Sequence, residues 1–265
     1  MAEVWLIAGA AGVFGLILGS AINAMVWRLY VGRSWVKGRS VCPECEHVLE
    51  PRDLVPVVSW LMLGGKCRYC GAPIKDHPAV ELVTGIVFAA SGYMLAMSGH
   101  IDVVKWAFWG VMAVMLLVLA VYDRRWLILP DKVMLPLIVV AFGYDLAMSV
   151  VARSPGLIAQ YLVAAVLAGG ICYAIVFFSQ GRAMGGGDVK LAFAMGLILG
   201  PEGTALALLL AFNVAAVLGI ALIVMRRRKG KDQIPFGPFL VGGTVIAFLF
   251  GQPIIHWYLN LNGLG

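Results

Sequence analysis

Seven side chains in this sequence combine residue type with a spacing that could do chemistry. Four are cysteines arranged as two Cys-x-x-Cys pairs, Cys42-Pro-Glu-Cys45 and Cys67-Arg-Tyr-Cys70. Two such knuckles at this separation are the ligand set of a tetrahedral structural zinc site. The other three are Asp123, Asp131 and Asp188, each at the margin of an apolar stretch. Asp123 precedes Arg124-Arg125, Asp131 follows Pro130, and Asp188 follows Gly185-Gly186-Gly187. Two close carboxylates in a poorly solvated site cannot both ionise readily. They share a proton, and such a pair can activate water as a base while protonating a carbonyl as an acid. The glycines suit that arrangement, because they allow close backbone approach. The competing reading leaves all three acids as helix-end caps and partners of neighbouring Arg and Lys.

The cysteines have competing readings too. A pair of disulfides requires an oxidising compartment, and a thioredoxin-like redox motif needs one Cys-x-x-Cys in a βαβ context that this sequence lacks. Zinc is the reading adopted, with the metal supplying folding energy that a loop of this size cannot draw from a core. Four thiolates leave no open position for water, so the zinc is expected to be structural and any chemistry to lie elsewhere. His47 is a spare ligand or a surface side chain. Cys172, in the middle of an apolar segment, reads as a small packing residue.

The elements that must position these residues follow from composition. The 265 residues are 62% hydrophobic and 13% charged, with a mean hydropathy of +0.93. Soluble domains carry roughly 45–50% apolar and about 25% charged residues, so a soluble fold, disorder and a secreted disulfide scaffold are excluded. A spanning helix needs about 20 apolar residues. Seven stretches qualify: Val4–Trp27, Leu82–Ile101, Trp106–Tyr122, Val133–Ala152, Ser154–Gly181, Gly203–Met225 and Gln233–Gly265. An eighth, Leu191–Pro201, would rise only about 17 Å as a helix, short of the ~30 Å hydrocarbon core. Charge decides whether it crosses. The segment Arg28–Lys75 carries eight Lys and Arg and is expected to be cytoplasmic. With eight spans, 18 of the 20 basic residues fall on that side, including Arg226-Arg227-Arg228-Lys229 and Lys231. With seven, this densest cluster would face outward. The expected fold is therefore an all-α polytopic membrane protein of eight transmembrane helices, with a small zinc-binding cytoplasmic domain between helices 1 and 2. The net charge of +6 then reads as topology and anionic-lipid contact, not as a nucleic-acid signal.

To cross, the sixth span must borrow residues upstream of Lys190, which draws Asp188 toward or below the headgroups. An ionisable group there is a functional-site hypothesis by default. The remaining acids sort as background. Glu44, Glu46, Glu50, Asp53 and Asp76 belong to the polar loop; Glu3, Asp102 and Glu202 flank outer helix ends; Asp232 partners the basic run; Asp145 is an interfacial or packing residue. The first span lacks a basic stretch before it and is expected to stay as a helix, not to be cleaved as a signal peptide.

These residues resemble the type IV prepilin peptidase family, the bifunctional leader peptidase/N-methyltransferases of type IV pili and type II secretion. The likeness runs along nearly the whole chain. It is carried by Gly19-Ser20-Ala-Ile-Asn23 with Arg28, the paired Cys-x-x-Cys loop, and Pro78-Ala-Val-Glu81-Leu-Val-Thr84-Gly85. Tyr122-Asp123 with Leu129-Pro130-Asp131, Met184-Gly185-Gly186-Gly187-Asp188-Val189-Lys190-Leu191, and Ile234-Pro235-Phe236-Gly237-Pro238-Phe239 complete it. Tyr122 stands where the family usually has an aliphatic residue, and Gly186 where it commonly has a large apolar one. Neither departure removes a carboxylate.

The resemblance implies that Asp123 and Asp188 are catalytic aspartates, supported by Asp131, Gly185, Gly187 and Lys190. It implies prepilin and pseudopilin substrates, whose short basic leader is cut on the cytoplasmic face after Gly and before Phe. The new amine would then be methylated from S-adenosylmethionine, with Glu81 and Gly85 marking a candidate region for that cofactor. The implied division is a first transmembrane helix (1–30), a zinc-binding domain linked to methylation (31–80) and a seven-helix aspartyl peptidase core (81–265). The implied location is the bacterial inner membrane, multi-pass, with periplasmic termini and a cytoplasmic zinc loop and active site. Two rivals remain: a peptidase lacking methylation, and a zinc-stabilised transporter or scaffold whose intramembrane acids form an ion pathway.

Overall fold

The computed structural model describes residues 1–34, 38–74, 76, 78–98, 102–225 and 234–263. The basic run at 226–229, with Lys231 and Asp232, lies outside the described residues. The elements are α1 (Ala2–Tyr30), α2 (Val58–Met62), α3 (Ala79–Met97), α4 (Val103–Trp126), α5 (Asp131–Val151), α6 (Pro155–Ser179), α7 (Gly186–Val224) and α8 (Gly237–Leu261). Among the described residues there is no named strand, only two isolated bridges in the loop after α1. Seven of the helices are long and apolar enough to cross a membrane. They are apolar on nearly every face, as helices must be when lipid, not water, is the outer solvent.

The longest helix, α7, is folded back on itself. Gly200 adopts φ 68° and ψ −172°, outside helical space, and is followed by Pro201. In a straight helix residues 195 and 204 would stand about 13.5 Å apart along the axis. Instead the Thr204 hydroxyl donates to the Met195 carbonyl at 3.4 Å and also to the Gly200 carbonyl. The two arms, 186–199 and 201–224, run in opposite directions. Along α6 toward its C-terminus, Ala165 faces Gly196 and then Gly169 faces Phe193, so the first arm is antiparallel to α6. Phe236 stacks near Phe212 at 5.1 Å, while Gly243 meets Ala207 and Gly251 meets Leu206, so α8 is antiparallel to the second arm. The seven long helices therefore make eight apolar arms. The first arm of α7, with Asp188 near its start, rises only about 21 Å.

The chain divides into two compact units, Met1–Gly110 and Val111–Gly265. In the first, α1 and α3 pack through small residues: a Cβ on Gly15 would stand 2.7 Å from the Thr84 carbonyl, and one on Gly19 would stand 2.5 Å from Glu81 Cα. Close approach through glycine is how membrane helices gain packing where lipid removes any hydrophobic drive between them. Trp109 Nε1, at the start of α4, donates to Ser91 Oγ of α3 at 2.9 Å. Thus α3 packs with α1 in the first unit. In the second unit α6, α7 and α8 form the tightest packing, and the α6 face is equally close. A Cβ on Gly196 would stand 2.2 Å from Ala165 Cα.

That contact is backbone against backbone and cannot be relieved by a rotamer change. Gly196→Ala is expected to cost about 1–3 kcal/mol and lower the midpoint of thermal unfolding in detergent. Gly110→Ala, where a Cβ meets nothing within 4 Å, should leave it unchanged or slightly raised.

Candidate active site and metal centre

Three sequence-distant segments converge at one end of the second unit. Asp123 lies in the last turn of α4, Asp188 in the first turn of α7, and Gly237 opens α8. Asp123 and Asp188 are 6% and 7% exposed, and each is within electrostatic reach of the other. Each carboxylate accepts a backbone N–H at a helix start. Gly237 N–H donates to Asp123 Oδ2 at 2.9 Å, and Gly185 N–H donates to Asp188 Oδ2 at 3.1 Å. The first amides of a helix have no partner within it and carry its positive dipole end, so an anionic oxygen there is stabilised twice over. The approach to Asp123 requires glycine, because a Cβ on Gly237 would stand 2.7 Å from Asp123 Oδ2.

The segment between α4 and α5 closes against the same end. Leu129 packs on Gly187, where a Cβ would meet the Leu129 side chain at 3.0 Å. Lys190 Nζ donates to Asp131 Oδ1 at 2.6 Å, with both side chains about half exposed. Asp131 is thus an open, ion-paired carboxylate at the rim, while Asp123 and Asp188 are enclosed. Of the three acids, burial and facing separate this pair from the third. Sequence reading named the segment that holds Gly237 but gave its amide no role. The signal for it was the helix start at Phe236-Gly237-Pro238, since proline in the first turn marks where free amides gather.

Asp145 is also buried, at 2% exposure, and its Oδ2 has no hydrogen-bond partner. It sits about 21 Å along α5 from Asp131, with Tyr161 of α6 as its electrostatic neighbour. It therefore stands apart from the converging pair. Asp102, by contrast, accepts the Lys105 N–H at 3.0 Å and caps α4. Cys172 is buried in α6 and within electrostatic reach of Asp188.

The cysteine loop folds as two equivalent knuckles. In the first, Cys42 N–H donates to His47 O and Glu46 N–H to Cys42 O; in the second, Cys67 N–H donates to Ala72 O and Gly71 N–H to Cys67 O. Glu46 (φ 56°) and Gly71 (φ 72°) occupy the same left-handed position in each turn. All four cysteines are unbridged, and their sulfurs lie within 4.8 Å of one another. The Cys42 and Cys70 sulfurs are 3.9 Å apart, against about 3.8 Å for two thiolates bound tetrahedrally at 2.3 Å. Four thiols this close do not ionise together unaided. Burial opposes ionisation of Cys67, yet the Cys70 and Tyr69 amides bring it down to about 7. For Cys70 the Ala72 amide favours the thiolate, but desolvation and the crowding of Cys45, Cys67 and Cys42 carry it up to about 12. A divalent cation supplies the missing charge, so the donor set fits zinc. His47 stacks on Tyr69 with centroids 3.7 Å apart, as a packing side chain of the knuckles.

A polar cluster braces the loop. Arg68 donates to Asp53 Oδ1 at 2.7 Å and Tyr69 to Asp53 Oδ2 at 3.0 Å. Glu81, in the first turn of α3, accepts the N–H of Val57 at the start of α2. Gly85 packs against the Leu16 side chain of α1, which would stand 2.8 Å from a Cβ at this position.

The fold and site describe a polytopic membrane protein with a buried carboxylate pair at one end of its helices and a four-cysteine loop. Comparison with known proteins finds matches to both parts of the chain. Residues 13–95 match the Bacterial Peptidase A24 N-terminal domain, and residues 110–220 match the Type IV leader peptidase family. A prepilin leader peptidase/N-methyltransferase of Aeromonas hydrophila is 32% identical, with 97% of this chain aligned to 95% of the relative. Proteins of the same name from Bacillus subtilis (32%, 94% and 96%) and Pseudomonas aeruginosa (30%, 95% and 93%) match over similar lengths. No solved structure matches. This chain belongs to the type IV leader peptidase family.

The Asp53 cluster makes a pH-signed test. Desolvation raises this carboxyl, but the Arg68 and Tyr69 donors and the Glu50 amide outweigh it and hold it below the ordinary 3.8. A depressed carboxyl stabilises the fold above its unfolded value, and that contribution disappears only as pH falls through the folded value. Arg68→Ala is therefore expected to speed limited proteolysis within residues 38–74 at pH 7. The difference from the parent protein should shrink as pH falls below the ordinary carboxylate range and the Asp53 carboxylate takes up its proton.

Proposed function

We propose that the chain removes the basic leader peptide from type IV prepilins and type II secretion pseudopilins, and then N-methylates the residue it exposes. The reading of Asp123 and Asp188 as the catalytic pair rests on one observation. Two carboxylates 65 positions apart are buried together at a helix end, each oriented by a backbone amide. In this reading the pair holds one proton and binds the attacking water. The ionised member takes a proton from the water as it adds to the scissile carbonyl, and the protonated member donates to the carbonyl oxygen. The tetrahedral adduct collapses with proton return to the leaving amine, and no acyl-enzyme forms. The Gly237 and Gly185 amides hold the carboxylates in place, and burial keeps bulk water from competing. Gly187 admits the Leu129–Asp131 segment closely enough for the Lys190–Asp131 ion pair to form at the rim, so these residues support the pair without reacting.

Cys42, Cys45, Cys67 and Cys70 would hold one zinc ion, whose chemistry here is structural: it ties the two knuckles together. The methyl donor is S-adenosylmethionine in this reading. In the candidate region Glu81 accepts the Val57 N–H and Gly85 packs against Leu16. The division proposed is a helix at 1–30, a zinc domain at 31–80 associated with methylation, and a membrane peptidase core beyond. The inner membrane is the proposed site, with the termini periplasmic and the zinc loop and carboxylates cytoplasmic. A prepilin's cleavage site emerges at the cytoplasmic headgroups, and in this reading Asp188, at the start of the short first arm of α7, lies at that level.

Asp123→Asn and Asp188→Asn should each lower leader removal by at least 10³-fold, the scale expected when one member of a water-activating pair cannot exchange a proton, while the protein still inserts. Mass spectrometry of a co-expressed prepilin reads cleavage position and methylation together; full processing by either variant would falsify the assignment. Purified protein should carry about one zinc per chain. Cys42→Ser should lose the metal and lower methylation more than cleavage, checked by metal analysis beside the same mass spectra.

A further inference from the structure

The short helix α2, between the two cysteine knuckles, turns apolar side chains outward. Leu61 and Met62 are 64% and 81% exposed, and Leu54, Val55 and Val58 are exposed beside them. Val58, Leu61 and Met62 share one face of the helix, one turn apart. Trp60, off that face, packs inward: its ring lies 3.0 Å from where a Cβ on Gly65 would stand, at the entry to the second knuckle. Five bare apolar side chains within nine residues mark a contact surface. The position of α2 along the membrane helices shows what that surface meets. Val57 N–H, at the start of α2, donates to Glu81 of α3. Glu81 packs on α1 at Gly19, where a Cβ would stand 2.5 Å from Glu81 Cα. Beyond Gly19 the α1 sequence carries no charge until Arg28, and the rise from Gly19 to Trp27 is about 12 Å. The whole of α2, at about 7.5 Å, is shorter than that stretch. It therefore starts beside the charge-free part of a membrane helix, not past its end.

We propose that α2 is a membrane-docking helix, whose Leu61 and Met62 face, with Leu54, Val55 and Val58, inserts into the lipid surface and seats the cysteine knuckles against it. The occupant is lipid because the face is continuous with the lipid-facing surface of α1 and α3 at the level fixed by Glu81 and Gly19. The mode is apolar insertion, not attraction to anionic headgroups. Within residues 38–74, Arg39, Arg52, Lys66 and Arg68 are matched by Glu44, Glu46, Glu50 and Asp53, so the loop has no surplus of positive charge for an anionic surface. Docking also carries to the metal centre. Trp60 holds the Gly65 turn, and Lys66-Cys67 follow it directly, so a seated α2 fixes the second knuckle relative to the bilayer.

The test places an environment-sensitive fluorescent amino acid at position 62 of the full-length protein, reconstituted separately in phosphatidylcholine and phosphatidylglycerol vesicles. Lipids carrying a nitroxide near the headgroup end of the acyl chain should quench it at least about twofold more than iodide present on both sides of the membrane. The result should be the same in both lipids. Quenching by iodide alone overturns docking, and nitroxide quenching confined to phosphatidylglycerol overturns the apolar mode. Adding Leu61→Glu, at a side chain that is largely exposed, should reverse the preference toward iodide; an unchanged preference overturns the role of this face. A photo-cross-linking residue at position 58 serves where the fluorescent protein folds poorly: capture of phospholipid supports docking, and capture of protein alone overturns it. None of these readouts uses peptide cleavage, so their failure leaves the leader-peptidase reading standing, and failure of that reading leaves docking standing.

Discussion

A carboxylate buried among helices must find hydrogen-bond donors inside the protein, and in this chain the donors are helix starts. Burying an ionisable group away from water costs several kcal/mol unless its oxygens are satisfied. Asp123 takes the first amide of α8 and Asp188 takes the amide that precedes its own helix. Much of the second unit follows from that requirement. For α8 to present Gly237 to α4, the chain must return to the same end after α7, and an odd number of passes between Asp188 and Gly237 would leave it at the other end. The reversal at Gly200 supplies the second pass.

The reversal is itself a matter of unpaired backbone groups. Breaking a helix frees carbonyls from their usual amide partners, and the break is held where other groups of the protein re-satisfy them. Thr204 contributes its one hydroxyl proton, shared between the Gly200 carbonyl and the more distant Met195 carbonyl. Gly200 adopts a backbone conformation closed to other residues, Pro201 has no amide to leave unpaired, and Thr204 returns a donor. Tyr161 packs over the turn, its ring 3.2 Å from where a Cβ on Gly200 would stand.

The zinc loop is governed by a different constraint. It has too few apolar residues to form a core, so order comes from local hydrogen bonds repeated in two knuckles and from the convergence of four sulfurs. Arg68 and Tyr69 are open to solvent, while the Asp53 carboxylate that they brace is enclosed between them. The effect of this bracing is to hold the second knuckle against the connecting segment so that the sulfurs meet.

Much was legible in the sequence because it depends on local pattern or on the bilayer. Cys-x-x-Cys spacing encodes a knuckle whatever surrounds it, apolar length encodes a span, and the distribution of Lys and Arg encodes the number of passes even where one segment is too short to qualify alone. Asp123 and Asp188 could be nominated because so few acids border these spans. What the residues could not say is which acids meet. Asp123, Asp131 and Asp188 look alike along the chain, each at a helix margin, yet only two are enclosed together, while Asp131 is drawn to Lys190 at the rim. The amide of Gly237, the small-residue contacts that set α3 against α1, and the burial of Asp145 were likewise decided by tertiary structure. Each depends on the separation of backbones from different helices, a distance that no single segment's periodicity carries.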